Sequence, residues 1–190
     1  MRIIVDAFGG DNAPLEIIKG SADAIKDYGV DITLVGDENI IRKVCKENEI
    51  PLFVDGARLA YGLAAGKDVD LPFLASHCDV FYIGGTKCGA LFGEAMVFTN
   101  PDLAYNIRHM IKRHGALLAK GRLLGAQFDA LFTDGLYFEI GKHAIDMAEK
   151  LKAIFAQKGY PFFMQSPTNQ QFVILENAKM EALKRQVTFS

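Results

Sequence analysis

The chain has 190 residues, of which half are hydrophobic and 23% are charged, and its formal net charge is −2. This length can bury the core of one ordinary globular domain, and the near-neutral charge excludes the strongly basic surface typical of nucleic-acid-binding proteins. No apolar run is long enough to span a bilayer, and the amino terminus lacks the pattern of a signal peptide.

Cysteine and histidine usage predicts neither a disulfide framework nor a metal site. The three cysteines, Cys45, Cys78 and Cys88, form no metal-binding spacing and no even set, which suits a reducing cytoplasm. The four histidines pair with no cysteine, acid or second histidine at a ligand spacing. We therefore expect a cytoplasmic protein that holds no metal, binds no nucleic acid and inserts into no membrane.

The first 48 residues predict a compact βαβα unit. A strand over 2–6 is rich in β-branched residues, and Pro14 suits the first turn of the helix that follows. Apolar residues then recur at helical spacing until Gly29, which predicts the end of the helix. A second strand over 31–35 and a helix over 38–47 complete the unit.

A glycine-rich loop, Gly9-Gly10-Asp11, lies between the first strand and the first helix. Such a loop can cradle a phosphate with its backbone amides. This one is not a GxGxxG motif and lacks the lysine of a P-loop, so the motif by itself is weak. A phosphate-binding module on this loop would lose phosphate binding in the variant Gly10→Val, and unchanged binding would exclude it.

Two later strands end in residues that can carry chemistry. The run PLFVDGAR places Asp55 after one apolar strand, and DVFYIGGTKCGA places Lys87 after another. If these strands are parallel neighbours, both residues lie at the carboxyl edge of one sheet, where open α/β folds bind ligands. Lys87 is either held out to solvent or desolvated, and desolvation lowers a lysine pKa and yields a nucleophilic amine. A lysine that forms an imine and an acid that faces a ring nitrogen are the two anchors of a pyridoxal phosphate site.

The remaining chain is mostly helical by periodicity. Helical patterning extends over 101–158 and is interrupted at Gly115 and at 134–135. The other predicted elements are helices over 57–64 and 178–186 and strands over 80–83, 93–98, 161–165 and 171–175.

The stretch over residues 50–190 resembles the low-specificity threonine aldolases, which belong to the β-eliminating lyases with the aspartate-aminotransferase type of fold. The resemblance rests on PLFVDGARLAYGL, DVFYIGGTKCGALFGEA, HGALLAKGRLLGAQF, DGLYFEIGKHA and SPTNQQF. It implies pyridoxal phosphate as cofactor, Lys87 as the Schiff-base lysine and Asp55 as the partner of the pyridine nitrogen. It also implies Arg58 and Thr86 as further cofactor contacts. Lys112 or Lys120 would reach the cofactor phosphate, or would simply lie on a solvated basic helix face.

The same resemblance implies that parts of the lyase site lie outside the matching range. These are the loop that binds the cofactor phosphate, the histidine that stacks on the pyridine ring and the arginine that holds the substrate carboxylate. Without them we expect weak cofactor binding and poor positioning of the amino acid.

Residues 1–48 resemble a different family, the bacterial phosphate acyltransferases of phospholipid synthesis. The resemblance rests on MRIIVDAFGGDNAPLEIIKGSADAIKDYGVDITLVGDENII and then stops. The chain therefore has the sequence of a chimera, with a join between residues 41 and 50.

Together these patterns predict an α/β fold of three layers, with a mostly parallel sheet flanked by helices and an incomplete small α+β part at the carboxyl terminus. The expected domains are a βαβα unit over 1–48, a partial large domain over 49–135 and a partial small domain over 136–190. The expected function is impaired Cα–Cβ cleavage of a β-hydroxy amino acid such as threonine, in a homo-oligomer. The alternatives are a catalytically silent α/β chimera and a phosphate-binding module of the acyltransferase type.

Overall fold

The computed structural model describes residues 2–8, 12–66 and 68–187. The Gly9-Gly10-Asp11 loop lies outside these residues. The chain forms two compact units, each built from separate stretches of sequence. The first unit comprises Met1–Gly56, Leu71–Tyr82 and Met96–Ala119, and the second comprises Ala57–Asp70, Ile83–Ala95 and Lys120–Ser190.

The strands of the chain confirm the predicted α/β class and its parallel pairing. Strand β1 (Arg2–Asp6) pairs in parallel with β2 (Asp31–Val35), with Arg2 opposite Asp31. Strand β3 (Phe53–Val54) pairs in parallel with β4 (Val80–Gly84). Strand β5 (Glu94–Phe98) lies next to β4, so the described strands make one sheet of two strands and one of three.

The first unit is covered by helices whose ends follow local signals. Gly29 adopts the left-handed conformation, with φ of 61°, and ends the first helix as predicted. The Asp37 side chain accepts a hydrogen bond from the Ile40 amide and caps the second helix. The helices of this unit are α1 (Leu15–Tyr28), α2 (Glu38–Glu47), α4 (Leu71–His77), α5 (Ile107–Arg113) and a 3-10 turn at Pro101–Ala104.

The core of the first unit lies between α1, α2 and the strands. Its buried side chains are Ala7, Ile18, Ile41, Val44 and Cys45. An apolar cavity of about 570 Å³ adjoins this core and is lined by parts of α1, β2, α2 and β3.

Asp79 ties several segments of the first unit together. Its carboxylate accepts hydrogen bonds from the Arg42 guanidinium at 3.0 Å and from the Leu52 amide at 2.8 Å. Its carbonyl oxygen accepts hydrogen bonds from the amides of Thr99 and Asn100. The Arg42 and Asp79 side chains are only 21% and 17% exposed, so this ion pair is better shielded than an ordinary surface pair.

The second unit is mainly helical, and its longest helix packs on a short one. Gly141 makes this possible, because a Cβ at that position would lie 2.3 Å from the Ala60 carbonyl oxygen. Asp134 and Gly135 both adopt left-handed conformations and give the predicted break before the long helix. The helices of this unit are α3 (Leu59–Ala65), α6 (Arg122–Phe132), a 3-10 turn at Thr133–Gly135, α7 (Leu136–Gln157) and α8 (Asn177–Leu183).

The carboxyl-terminal part forms less sheet than the sequence pattern predicts. Its two predicted strands meet at a single antiparallel bridge between Phe162 and Val173. The Phe163 amide donates to the Phe172 carbonyl, and the Ile174 amide donates to the Pro161 carbonyl. Among the residues that the structure describes, no named strand pairs with these segments, so they build no extended ladder.

The described residues include no helix long and apolar enough to cross a membrane. All three cysteines are buried free thiols.

Exchanging glycine for alanine at two helical positions should change stability in opposite directions. We expect Gly141→Ala to lower the free energy of unfolding by about 1–3 kcal/mol, because the new methyl group collides with backbone. The matched variant Gly125→Ala, in α6, meets no atom within 4 Å and should be neutral or raise stability by up to about 1 kcal/mol. Urea unfolding followed by circular dichroism measures both, and a stabilising effect of Gly141→Ala would contradict this packing.

Candidate functional site

The lysine turn, defined as Gly84–Ala90, begins at the last residue of β4 and carries Lys87. The side chains of Thr86 and Lys87 are exposed, whereas the side chain of the next residue, Cys88, is fully buried. The amides of Cys88 and Ala90 both donate to the Gly85 carbonyl, at 2.9 and 3.0 Å. Of the two positions considered for Lys87, the structure therefore shows the exposed one, on a tightly folded backbone.

Two glycines are required by the packing and backbone of this turn. A Cβ at Gly85 would lie 2.6 Å from the Gly93 carbonyl oxygen and 2.9 Å from the Phe128 ring. Gly89 has φ of 106°, a conformation that side chains rarely tolerate. The Glu94 carboxylate accepts a hydrogen bond from the Gly85 amide at 2.7 Å, which fixes the start of the turn.

Tyr137 on α7 holds the same turn from inside the second unit. Its side chain is completely buried, and its hydroxyl donates to the Gly84 carbonyl at 3.1 Å. The hydroxyl also accepts a hydrogen bond from the Ala60 amide at 3.1 Å. Burial raises the pKa of Tyr137 well above its usual value, and the neighbouring Cys88 thiol adds to the rise.

Tyr61 on α3 contacts the turn at Lys87 itself. Its hydroxyl donates to the Lys87 carbonyl oxygen. Burial raises the pKa of Tyr61, the Cys88 thiol adds to the rise, and the Arg58 guanidinium opposes it. Arg58, the exposed residue just before α3, is thus within electrostatic range of Tyr61. The second unit therefore brings Tyr61, with Arg58 nearby, to the lysine turn, which contains Cys88.

Asp55 belongs to the first unit, where it follows β3. Its exposed carboxylate accepts a hydrogen bond from the Tyr82 hydroxyl on β4. Lys112 is exposed on α5 of this unit, and Lys120 is exposed in the second unit just before α6.

The arrangement presents an accessible primary amine on a hydrogen-bonded turn, in the solvent-exposed position rather than the desolvated one that would activate it as a nucleophile. The described residues contain no cluster of three His, Cys, Asp or Glu side chains that could hold a metal ion. The role of Lys87 stays a prediction from the sequence, whereas the contacts of Tyr61 and Tyr137 with its turn were not predicted. The sequence did contain a signal for these contacts, because a tyrosine within an apolar helical face needs a hydrogen-bond partner for its hydroxyl.

Comparison with protein families gives two matches along the chain. The model described as β-eliminating lyase matches residues 38–178, and the model described as fatty acid synthesis protein matches residues 1–52. The two matches overlap over α2 and the connection to β3. The chain therefore joins segments of two families, as the sequence predicted.

Individual relatives agree with this division. The chain is 32% identical over 147 residues to the low specificity L-threonine aldolase of a Pseudomonas species, covering 76% of this chain and 42% of the relative. A solved structure of the Leishmania major threonine aldolase matches with a TM-score of 0.74 and 46% identity, covering 77% of this chain and 43% of that one. A phosphate acyltransferase of Oceanobacillus iheyensis is 56% identical over 41 residues, covering 22% of this chain and 12% of the relative. The chain thus spans less than half the length of these relatives.

The stability of the second unit should decrease at alkaline pH because of Tyr137. In the unfolded chain this tyrosine ionises near pH 10, whereas in the folded chain its raised pKa keeps it protonated. The folded state then binds more protons, so its contribution to stability is complete below about pH 10 and declines above it, by up to about 1.4 kcal/mol per pH unit.

Urea unfolding at several pH values between 8 and 11 checks this prediction on the wild type, Tyr137→Phe and the control Tyr160→Phe. The control should keep the wild-type pH dependence, and Tyr137→Phe should show a shallower one. Equal slopes in all three proteins would contradict the assignment.

Proposed function

Because the chain belongs to the β-eliminating lyase family, we propose that it is an aldolase-like lyase that depends on pyridoxal phosphate. The proposed reaction cleaves the Cα–Cβ bond of a β-hydroxy amino acid, which converts threonine to glycine and acetaldehyde. The observation that carries the proposal is the exposed amine of Lys87 on a turn fixed by Tyr61, Glu94 and Tyr137. This turn lies within the range matched by the lyase family model.

Lys87 is the proposed point of covalent attachment by its resemblance to the lyases, and its exposed amine is accessible to an aldehyde. When bound, pyridoxal phosphate supplies an electron sink for the electron pair of the broken bond. Asp55 would hold a proton at the ring nitrogen through its exposed carboxylate, and Arg58 and Thr86 would contact the cofactor. These four assignments rest on the sequence resemblance, and the exposure of all four side chains supports them.

We expect this 190-residue chain to be less active than the relatives that it matches. It covers 42% of the Pseudomonas aldolase, and the family parts expected to bind the cofactor phosphate and the substrate carboxylate lie outside the matching range. Either Lys112 or Lys120 would supply a positive charge to the phosphate. A low affinity for the cofactor and a weak orientation of the amino acid would then both reduce turnover.

Self-association is part of the proposal. Helix α7 exposes Met147, Leu151 and Ile154, which are 39%, 47% and 49% accessible and follow one another at helical spacing. An apolar stripe of this kind is typical of a surface that pairs with another protein. We expect a homo-oligomer, and light scattering on the purified chain should show at least a dimer; a strict monomer at micromolar concentration would argue against it.

A cytoplasmic location stays a prediction from the sequence, in agreement with the three free thiols. The catalytically silent chimera is the competing hypothesis, and the following experiment distinguishes it from the lyase.

Cofactor addition should label Lys87 in preference to other lysines. We expect wild-type protein mixed with pyridoxal phosphate to show an absorption band of bound cofactor, and borohydride should then fix the cofactor on Lys87. The variant Lys87→Ala should lose the band, whereas Lys142→Ala, which removes an exposed α7 lysine paired with Asp146, should keep it. Peptide mass spectrometry identifies the labelled residue.

Equal, scattered labelling in all three proteins would contradict the lyase proposal and support the silent chimera. If Lys87 is labelled, threonine cleavage should be measurable as acetaldehyde release that Lys87→Ala abolishes.

A further inference from the structure

The buried hydroxyl of Tyr137 connects the two backbone segments that frame Lys87. It accepts a hydrogen bond from the Ala60 amide at the start of α3 and donates a hydrogen bond to the Gly84 carbonyl at the end of β4. Both hydrogen bonds measure 3.1 Å, within the normal range for such groups. The lysine turn begins at Gly84, so this hydroxyl determines where the turn leaves the strand.

Packing around Tyr137 gives the hydroxyl a single position. Its ring stacks on Phe132, with centroids 5.1 Å apart, and meets the edge of Phe138 at 5.9 Å. One turn further along α7, Gly141 lies directly against the Ala60 carbonyl. Because Tyr137 and Gly141 share a helix face, the close contact at Gly141 keeps the Tyr137 hydroxyl within reach of Ala60.

Tyr61 also contacts the turn, and its environment differs. Its hydroxyl donates to the Lys87 carbonyl, but its side chain is half-buried, whereas Tyr137 is 0% exposed. Water can replace the hydroxyl of Tyr61. Water has no access to the Ala60 amide and the Gly84 carbonyl, which Tyr137 satisfies. Leaving a buried polar group without a hydrogen bond costs much more free energy than exchanging a protein hydrogen bond for one to water.

We propose that Tyr137 is a positioning residue for Lys87: its buried hydroxyl holds the Gly84 carbonyl and thereby keeps the lysine amine in the orientation that bonds the cofactor aldehyde. This inference rests on the proposed function, in which Lys87 is the attachment point. Without the hydroxyl, the turn samples several positions. The apparent affinity of Lys87 for the cofactor then falls in proportion to the competent fraction.

The test compares the same substitution at three tyrosines of the second unit. Tyr137→Phe removes the buried hydroxyl, Tyr61→Phe removes the half-buried one, and Tyr160→Phe is the control away from the turn. Each protein is titrated with pyridoxal phosphate and trapped with borohydride, and mass spectrometry gives the half-saturating concentration separately for Lys87 and for Lys142. Amide hydrogen exchange of residues 85–90 is measured on the same proteins without cofactor.

We expect Tyr137→Phe to raise the half-saturating concentration at Lys87 by about tenfold, because, of the two buried groups that lose their partner, the Gly84 carbonyl is the one in the lysine turn, and to leave Lys142 unchanged. It should also speed exchange at Cys88 and Ala90. Tyr61→Phe should change both readouts less than threefold, and the control should change neither. An unchanged concentration at Lys87 in Tyr137→Phe would overturn the proposal, as would equal effects at Lys87 and Lys142.

Failure of the proposed function gives a different result. If the wild type shows no preference for Lys87 over Lys142, the lyase proposal fails. The amide exchange rates of residues 85–90 in wild type and Tyr137→Phe then test by themselves whether Tyr137 holds the turn. If Tyr137→Phe does not fold, the wild type provides the test: the Ala60 amide, which donates to the Tyr137 hydroxyl, should exchange at least about tenfold more slowly than an unprotected amide. Exchange at the unprotected rate would overturn the inference.

Discussion

The second unit depends on one hydroxyl group that satisfies two buried backbone atoms. Tyr137 reaches Ala60, 77 residues away in sequence, and Gly84, 53 residues away. Each of these backbone groups would cost about 1–3 kcal/mol if it were buried without a partner, so α3, α7 and the end of β4 are constrained at one point. The absence of a side chain at Gly141 lets the helices approach closely enough for this contact. The exposed Lys87 therefore extends from a backbone that is held at its own carbonyl and at the Gly84 carbonyl.

In the first unit, Asp79 has the corresponding role at the place where the two families meet. Arg42 lies on α2, which both family models match, and Asp79 lies in the range matched by the lyase model alone. The carboxylate of Asp79 binds the Arg42 guanidinium and the Leu52 amide, so a shielded, charge-assisted pair of hydrogen bonds connects the region of overlap to a segment that the lyase model alone matches. At this connection α2 ends at Glu47, Glu49 adopts a left-handed conformation with φ of 56°, and the amides of Asn48, Ile50 and Leu52 donate hydrogen bonds.

Features that depend on neighbouring residues could be predicted from the sequence. The parallel strands, the left-handed Gly29, the break at 134–135 and the turn after the buried strand β4 all follow from local signals and are confirmed. The Tyr137 contacts could not be predicted in this way, because they join segments that no periodicity connects. The carboxyl-terminal strands were overpredicted, since alternating side chains do not reveal whether further strands exist to extend a ladder. The roles of Asp55, Arg58, Thr86 and Lys87 stay predictions, because they concern a ligand rather than the packing of the chain.

The overlap of the two family matches at α2 has a consequence for protein engineering. The overlap lies outside both strand ladders, because the β1–β2 pairing is complete before it and the β3–β4 pairing follows it. Each ladder therefore lies within the range matched by one family model, and its register does not depend on where the two matches meet. For hybrids of parallel-sheet proteins we therefore expect crossovers between complete strand–helix–strand units to disturb strand register least, and a carboxylate placed like Asp79 to satisfy backbone at the connection.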